Sequence, residues 1–535
     1  MNLHYYLIGN AGLCFLSVFV LFKTMAGKKN PLQQNDGWFL FGIVFFLLIT
    51  KLFSFKAGML NIDESIMLAG GRILGYDPRP WISLDTTTSG PLNFLPSLLM
   101  LKAADGASYG DLRILYTLIF QIPSILILFY TIRKIAGPYT ARITVIPLVL
   151  TFSFFYYADL IHASSEHFPL LLLAIVISVL LAIACHIEVS KGQLTIAGIA
   201  CAASFYAKLQ VTPIFLFLAG ACFILLILVK GKPKEAFIFL SGFILTHTIA
   251  LFTIWLYGGF DDFVQSYIIG NLRYTTVNTF SPELFKTFLK SSIRSLLPLL
   301  AFGLVLPGLF FSKIKFPLKR MDLVYHAGFL ATIVITAYCI AKPGRYFLHY
   351  TLLLVVPLYG YTIWLLLKYN WIPGKYFPAL SSLAIVCIFY INAKNAAKTL
   401  ANEKQHLNDI IDQKLVDRIY ANRLPDDRMA VWGWGTYYNH AARMIMGTRD
   451  MHFDFQTTYK SDLGKYYQKR YLQDLETNMP KYFLDLSLPG GLMTNESCQL
   501  ALYPEIDQFV KKNYREVYRS GFEILYQKTS EERSK

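Results

Sequence analysis

Apolar stretches of about 18–23 residues recur along roughly the first 390 positions of this chain, and each is long enough to cross a bilayer core as a helix. The candidate spans are 3–22, 38–55, 112–132, 141–157, 168–186, 193–207, 212–230, 236–257, 295–311, 322–341, 346–368 and 376–393. They predict a mainly α, polytopic helical bundle of about twelve spans over residues 1–393. Composition agrees. Charged residues make up 16% of the chain and hydrophobic ones 55%, whereas a soluble domain carries about 25% charged residues. The first cations, Lys23 and Lys28, follow the first apolar run instead of preceding it, so 3–22 is expected to be a retained helix and not a cleavable signal.

The net charge of +16 is distributed by topology. Alternate loops carry Lys23, Lys28 and Lys29, then Arg133, Lys134 and Arg142, then Lys191. The same series continues with Lys230, Lys232 and Lys234, then Lys313, Lys315, Lys319 and Arg320, then Lys368 and Lys375. With the spans as drawn, all fall on one side, which the positive-inside rule makes cytoplasmic. Nucleic acid is excluded as the partner of this basic chain, because the charge is not gathered in a patch. The partner it does imply is the lipid bilayer. Segments 56–111, 158–167, 208–211, 258–294, 342–345 and 394–535 are then external. Six of the seven cysteines lie in expected helices and Cys498 stands alone, a pattern of small buried thiols without disulfide or metal spacing.

The first external loop, 56–111, is long for a membrane connector. Ile66, Met67, Ala69, Ile73 and Leu74 give 63–75 one apolar face, as in a helix lying along the interface. Gly90-Pro91 breaks the chain before a second short helix over 92–102. The segment 394–535 alternates strand and helix patterns, and predicts a small external α/β domain. Its strands are expected at Met429–Trp434 and Lys481–Leu486, with a closing hairpin from Tyr514–Val517 and Glu523–Gln527. Trp432 and Trp434 suit the core of that domain better than a sugar platform.

Polar residues that can carry chemistry gather at the external loop ends. Asp63 and Glu64 follow Asn61 just beyond the second span. They can serve as helix N-terminal residues favoured by the dipole, or as a base and substrate ligand, and one carboxylate can do each. Asp159, His162 and Glu166 recur at about one helical turn. They suit substrate hydrogen bonding, a divalent metal or plain interface solvation, but no third His lies near in sequence to complete a metal site. Lys208 and Gln210 occupy a short turn, where Lys208 can also simply snorkel. Lys342 and Arg345, followed by His349 and Tyr350, place two cations and a His in one turn, a pattern suited to clamping a phosphate.

In this order the motifs resemble the GT-C superfamily of integral membrane glycosyltransferases, in the bacterial branch similar to protein O-mannosyltransferases and lipid A aminoarabinose transferases. The resemblance rests on Asp63-Glu64 and the helix and Gly-Pro break after it. It rests also on Ser164-Ser165-Glu166, on Ala207-Lys208-Leu209-Gln210 with Pro213, on Gly344-Arg345 with His349-Tyr350, and on Val431-Trp432-Gly433-Trp434. One departure is the helix 3–22, which precedes the helix leading into the Asp-Glu loop and shifts the helix numbering. The resemblance implies a polyprenyl-phosphate-linked sugar donor, an envelope hydroxyl as acceptor, inversion at the anomeric carbon and no required cofactor. It implies catalysis by Asp63 with Glu64 beside it, in the bacterial cytoplasmic (inner) membrane, with the C-terminal domain extracytoplasmic. Lys208, Lys342 and Arg345 are the candidates for stabilising the leaving phosphate. Two rival functions are a flippase or transporter of a lipid-linked saccharide and a non-catalytic assembly protein. A transporter is expected to carry repeats and polar groups at the membrane midplane; here the polar groups sit at one rim and no repeat is evident.

Overall fold

The fold is that of a computed structural model, which describes residues 36–85, 87–153, 155, 157–277, 281–300, 320–369, 410–451, 454–458, 462–492 and 496–529. Six helices are long and apolar enough to cross a membrane: Tyr109–Ser153, His167–Ala184, Leu209–Val229, Pro233–Leu256, Arg320–Ala341 and Leu348–Lys368. Asp36–Thr50 is a shorter apolar helix. The protein is a multi-pass membrane protein, but twelve spans are not established. The expected spans 3–22 and 376–393, and most of 295–311, lie outside the described residues. The expected spans 112–132 and 141–157 occupy one 45-residue stretch, broken where Gly137 takes φ 84° and ψ 169° ahead of Pro138. The expected span 193–207 is the 17-residue helix Lys191–Ala207, opened by a capping box between Ser190 and Gln193.

By its contacts the chain forms two compact units. The first comprises the described parts of Met1–Leu60, Arg113–Ala250 and Tyr274–Lys404. At its centre, helix His167–Ala184 is buried along most of its length, against Lys191–Ala207, Ile122–Ser153 and Leu352–Lys368. Gly198 and Gly242 let two helices touch backbone to backbone. A Cβ at Gly198 would stand 2.0 Å from the Phe239 carbonyl oxygen, and one at Gly242 2.4 Å from that of Thr195. Small residues at helix crossings serve this purpose in membranes. Arg113 is buried and donates to the carbonyls of Ser54, Ala57 and Gly58, satisfying the chain end that leaves helix Leu52–Phe55.

The second unit gathers Asn61–Leu112, Leu251–Arg273 and the described parts of Gln405–Lys535. Its sheet has the strand order β2-β1-β3-β5-β4, from β1 (Arg428–Trp432), β2 (Ile445–Met446), β3 (Tyr482–Asp485), β4 (Tyr514–Ser520) and β5 (Glu523–Lys528). β1 lies parallel to β2 and β3, while β5 runs antiparallel to β3 and β4. Trp432 is fully buried and donates its indole N–H to the Cys498 carbonyl, so it is a core residue of this sheet. Helix Ile62–Tyr76 packs on helices Leu95–Ala103 and Thr436–Ala441. Gly70 and Gly71 permit the first of these contacts, since a Cβ would fall 2.2 Å from the Phe94 ring and 2.6 Å from Ser97 Cβ.

A buried ionic clasp joins the three segments of this unit. Asp85 and Asp450 form a parallel backbone bridge. Arg470 lies between carboxylates, 2.6 Å from Asp85, in contact with Asp450 and 3.5 Å from Asp262. Arg449 reaches Asp474 at 2.6 Å, Asp262 at 2.8 Å and the Trp81 carbonyl at 3.2 Å. The rings of Phe263 and Tyr267 pack against buried Trp81, and Asn271 donates to the Thr87 carbonyl. Burial, with Asp85 and Asp474 nearby, outweighs Arg470 and pushes the Asp450 carboxyl up to about 7. Its folded value exceeds its unfolded one, so its stabilisation is full below the unfolded value near 4 and is lost as pH rises through about 7. Thermal unfolding compared at about pH 5 and pH 8 should therefore favour the acid side, and Asp450→Asn should reduce that difference. An unchanged difference in the variant would remove Asp450 as the titrating group.

Candidate active site

In the second unit, Asn61 adopts an extended backbone and its side chain accepts from the Asp63 N–H at 3.0 Å. The cap of helix Ile62–Tyr76 is therefore Asn61. Asp63 is half-buried and Glu64 fully buried in the first turn, where the helix dipole favours negative charge. Ser65 fixes the next position through Thr436, with the two hydroxyl oxygens 2.6 Å apart. The other first-loop charges have structural partners: Arg72 with Asp105, Arg79 with Asp77, and Asp85 in the clasp.

In the first unit, six of the expected residues meet. The Asp159 carboxylate accepts from the His349 backbone N–H at 3.0 Å and from His349 Nδ1 at 2.9 Å. This pair pins the short 3-10 turn Leu348–Thr351 to the 158–167 segment. His162 is fully buried, with Nδ1 3.9 Å from Asp159, and its ring packs edge-on to His349 with centroids 5.2 Å apart. On the far side of the His349 ring, Nε2 stands 3.8 Å from Glu166 Oε1. Glu166 is fully buried and paired with Lys208, whose Nζ also donates to Ser165 Oγ at 2.8 Å and lies 5.0 Å from the Tyr350 ring centroid. Burial works to raise both carboxyls. For Glu166, Lys208 and then His349 outweigh it; for Asp159, His349 and His162 do, and both acids are held well below the usual carboxylate range.

Three further expected residues have other partners. Gln210 donates to the Cys339 carbonyl at 2.7 Å and ties its turn to helix Arg320–Ala341. Lys342 is exposed and lies over the Tyr338 ring, and Arg345 stacks over Tyr274 at 5.4 Å. Between Arg345 and His349 the backbone is strained, with Tyr346 at φ 46°. Such left-handed non-glycine residues persist where surrounding structure holds them, often at functional sites.

Lys51 and Gln121 are not evident from sequence alone. Lys51 is the one ionisable residue of the expected span 38–55 and Gln121 the one amide of 112–132, yet both are buried, and Gln121 links Lys51 to His167. Their one signal is that polarity, since intramembrane polar residues are costly to keep. The clasp residues Asp262, Arg449, Asp450, Arg470 and Asp474 are also new; they depend on pairing between distant segments.

A bundle of apolar helices with buried ion pairs at its loop ends is joined in sequence to a small mixed sheet. The fold is shared with ArnT from Cupriavidus metallidurans. The ArnT structure bound to undecaprenyl phosphate superposes with a TM-score of 0.58 at 13% identity, covering 93% of this chain and 99% of that one. The apo structure gives 0.57 at 11% identity, covering 92% and 98%. No protein-family model and no curated protein matches the sequence. The likeness to ArnT is one of fold.

Proposed function

We propose that this protein transfers a sugar from a polyprenyl-phosphate-linked donor to a hydroxyl of a cell-envelope acceptor. The observation that carries this reading is the full-length likeness to a fold that, in ArnT, is bound to undecaprenyl phosphate. In the proposed step, Asp63 accepts the proton of the acceptor hydroxyl as its oxygen bonds to the anomeric carbon. The bond from that carbon to the phosphate oxygen breaks on the opposite face, so the configuration inverts and polyprenyl phosphate leaves as an anion. Arg345 and Lys342 are proposed to meet that anion, the planar guanidinium of Arg345 matching two phosphate oxygens at once. Lys208 contributes a charge already partly offset by Glu166. His349 and His162 are proposed to bind substrate from the Asp159 side. Carboxylate and cations supply the chemistry, so the step requires no redox or group-carrying cofactor. The reaction is placed in the bacterial inner membrane, with residues 56–111 and 394–535 on the extracytoplasmic side.

Mass spectrometry of envelope lipids, glycans and proteins from a strain lacking the protein tests the proposal. One sugar modification should disappear and return on complementation. An intact envelope would sink it. Movement of a lipid-linked sugar across vesicles, without any glycosylated product, would establish the transporter reading instead.

A further inference from the structure

The first unit contains a line of buried polar groups that no step above uses. Lys51 is 4% exposed and directs its Nζ to Gln121 Oε1. Gln121 is 2% exposed and ends the π-helical turn Thr117–Gln121, a local widening of a helix that is frequent at functional positions. Its Nε2 lies 3.0 Å from His167 Nε2. The Nδ1 of His167 faces Ser164, 3.2 Å from both the carbonyl and the hydroxyl oxygen. Ser164 opens the turn whose next two residues, Ser165 and Glu166, hold the Lys208 ammonium.

Elementary donor and acceptor rules order the first links of this line. An ammonium only donates, so the amide oxygen of Gln121 must face Lys51 and its NH2 must face His167. The amide NH2 also only donates, so His167 Nε2 must accept. With Nε2 accepting, a neutral ring donates from Nδ1 to Ser164; in the other tautomer Nδ1 accepts from the Ser164 hydroxyl or backbone N–H, the latter 3.4 Å away, so either tautomer can hold the turn. Among the described residues no carboxylate touches Lys51. An ammonium buried against one neutral amide weakens a fold, and an apolar side chain there would not. Stability therefore does not explain the line.

We propose that Lys51, Gln121 and His167 are positioning residues that fix the Ser164–Glu166 turn and, through it, the place of the Lys208 ammonium at the lipid phosphate. The proposal rests on the function proposed above. The test uses the full chain in lipid nanodiscs with undecaprenyl phosphate as the probe, reading its Kd and the melting temperature together. Lys51→Met/Gln121→Leu replaces both partners with apolar side chains of similar shape, which should leave the melting temperature unchanged or raised. The Kd should nevertheless rise about tenfold, the size of coupling expected within one polar network. Adding Lys208→Met to this pair should weaken binding no further than Lys208→Met alone, because the line acts through that ammonium. Gln121→Glu keeps an acceptor for Lys51 and can accept from the other tautomer of His167, so it should hold the Kd within about threefold of wild type. Binding that stays at the wild-type level in the double variant, while Lys208→Met weakens it, overturns the positioning role and leaves the proposed function standing. Additive losses, or a Gln121→Glu variant as weak as the leucine pair, overturn it too. If Lys208→Met itself binds like wild type, the fault lies in the phosphate assignment of Lys208, and the positioning role falls with it.

Discussion

Asp63→Asn should slow sugar transfer by about 10²–10⁴-fold, the contribution typical of a positioned general base. Asparagine is close to aspartate in size but cannot take the acceptor proton. The fold gives this substitution a clean background, because Asn61 and not Asp63 caps helix Ile62–Tyr76. Loss of the favourable interaction of a carboxylate with the helix N-terminus costs about 0.3–1 kcal/mol. Complementation of the deletion strain, with protein level and undecaprenyl phosphate binding measured alongside, separates chemistry from folding. Transfer at near wild-type rate by Asp63→Asn would show that the base is another residue. Asn61→Ala should do the reverse, costing about 1 kcal/mol of stability through loss of the cap with a smaller loss of rate.

Arg470→Met should unfold the second unit or leave it barely folded. The substitution removes the guanidinium from a site where Asp85 and Asp450 are almost wholly buried and Asp262 is near. Removing one partner of a buried ion pair typically costs about 3–5 kcal/mol, because the remaining charge is left without compensation. That is a large share of a domain's stability. Limited proteolysis should cut the tail, and also the first loop, much sooner than in wild type. Equal protease resistance in the two proteins would mean that the clasp does not hold these segments. A further variant, Arg470→Met with Asp85→Asn and Asp450→Asn, should recover part of the loss by removing the repelling carboxylates.

The architecture is legible in the sequence where local patterns carry it. Apolar runs mark the helices, and the alternation after residue 428 marks β1, β3 and the β4–β5 hairpin at nearly the observed places. Asp159, His162, Glu166, Lys208, His349 and Tyr350 are visible because ionisable and polar residues at loop ends stand out in so apolar a chain, and the fold then places them side by side. Two things are not legible. Lys51 looks like a lone ionisable residue and Gln121 like a lone amide, and their connection spans 70 positions. The union of Asp85, Asp262 and Arg470 depends on three distant segments, and short-range periodicity carries no information about such pairings.

That union also sets an order of events during synthesis. Asp85 leaves the ribosome early, and Arg470 follows only after nearly all of the membrane helices have been made. At about 5–20 residues per second, the interval is on the order of tens of seconds. Through that time the carboxylate has no guanidinium to meet. The segment carrying Asp63 is then made long before it can reach its final form.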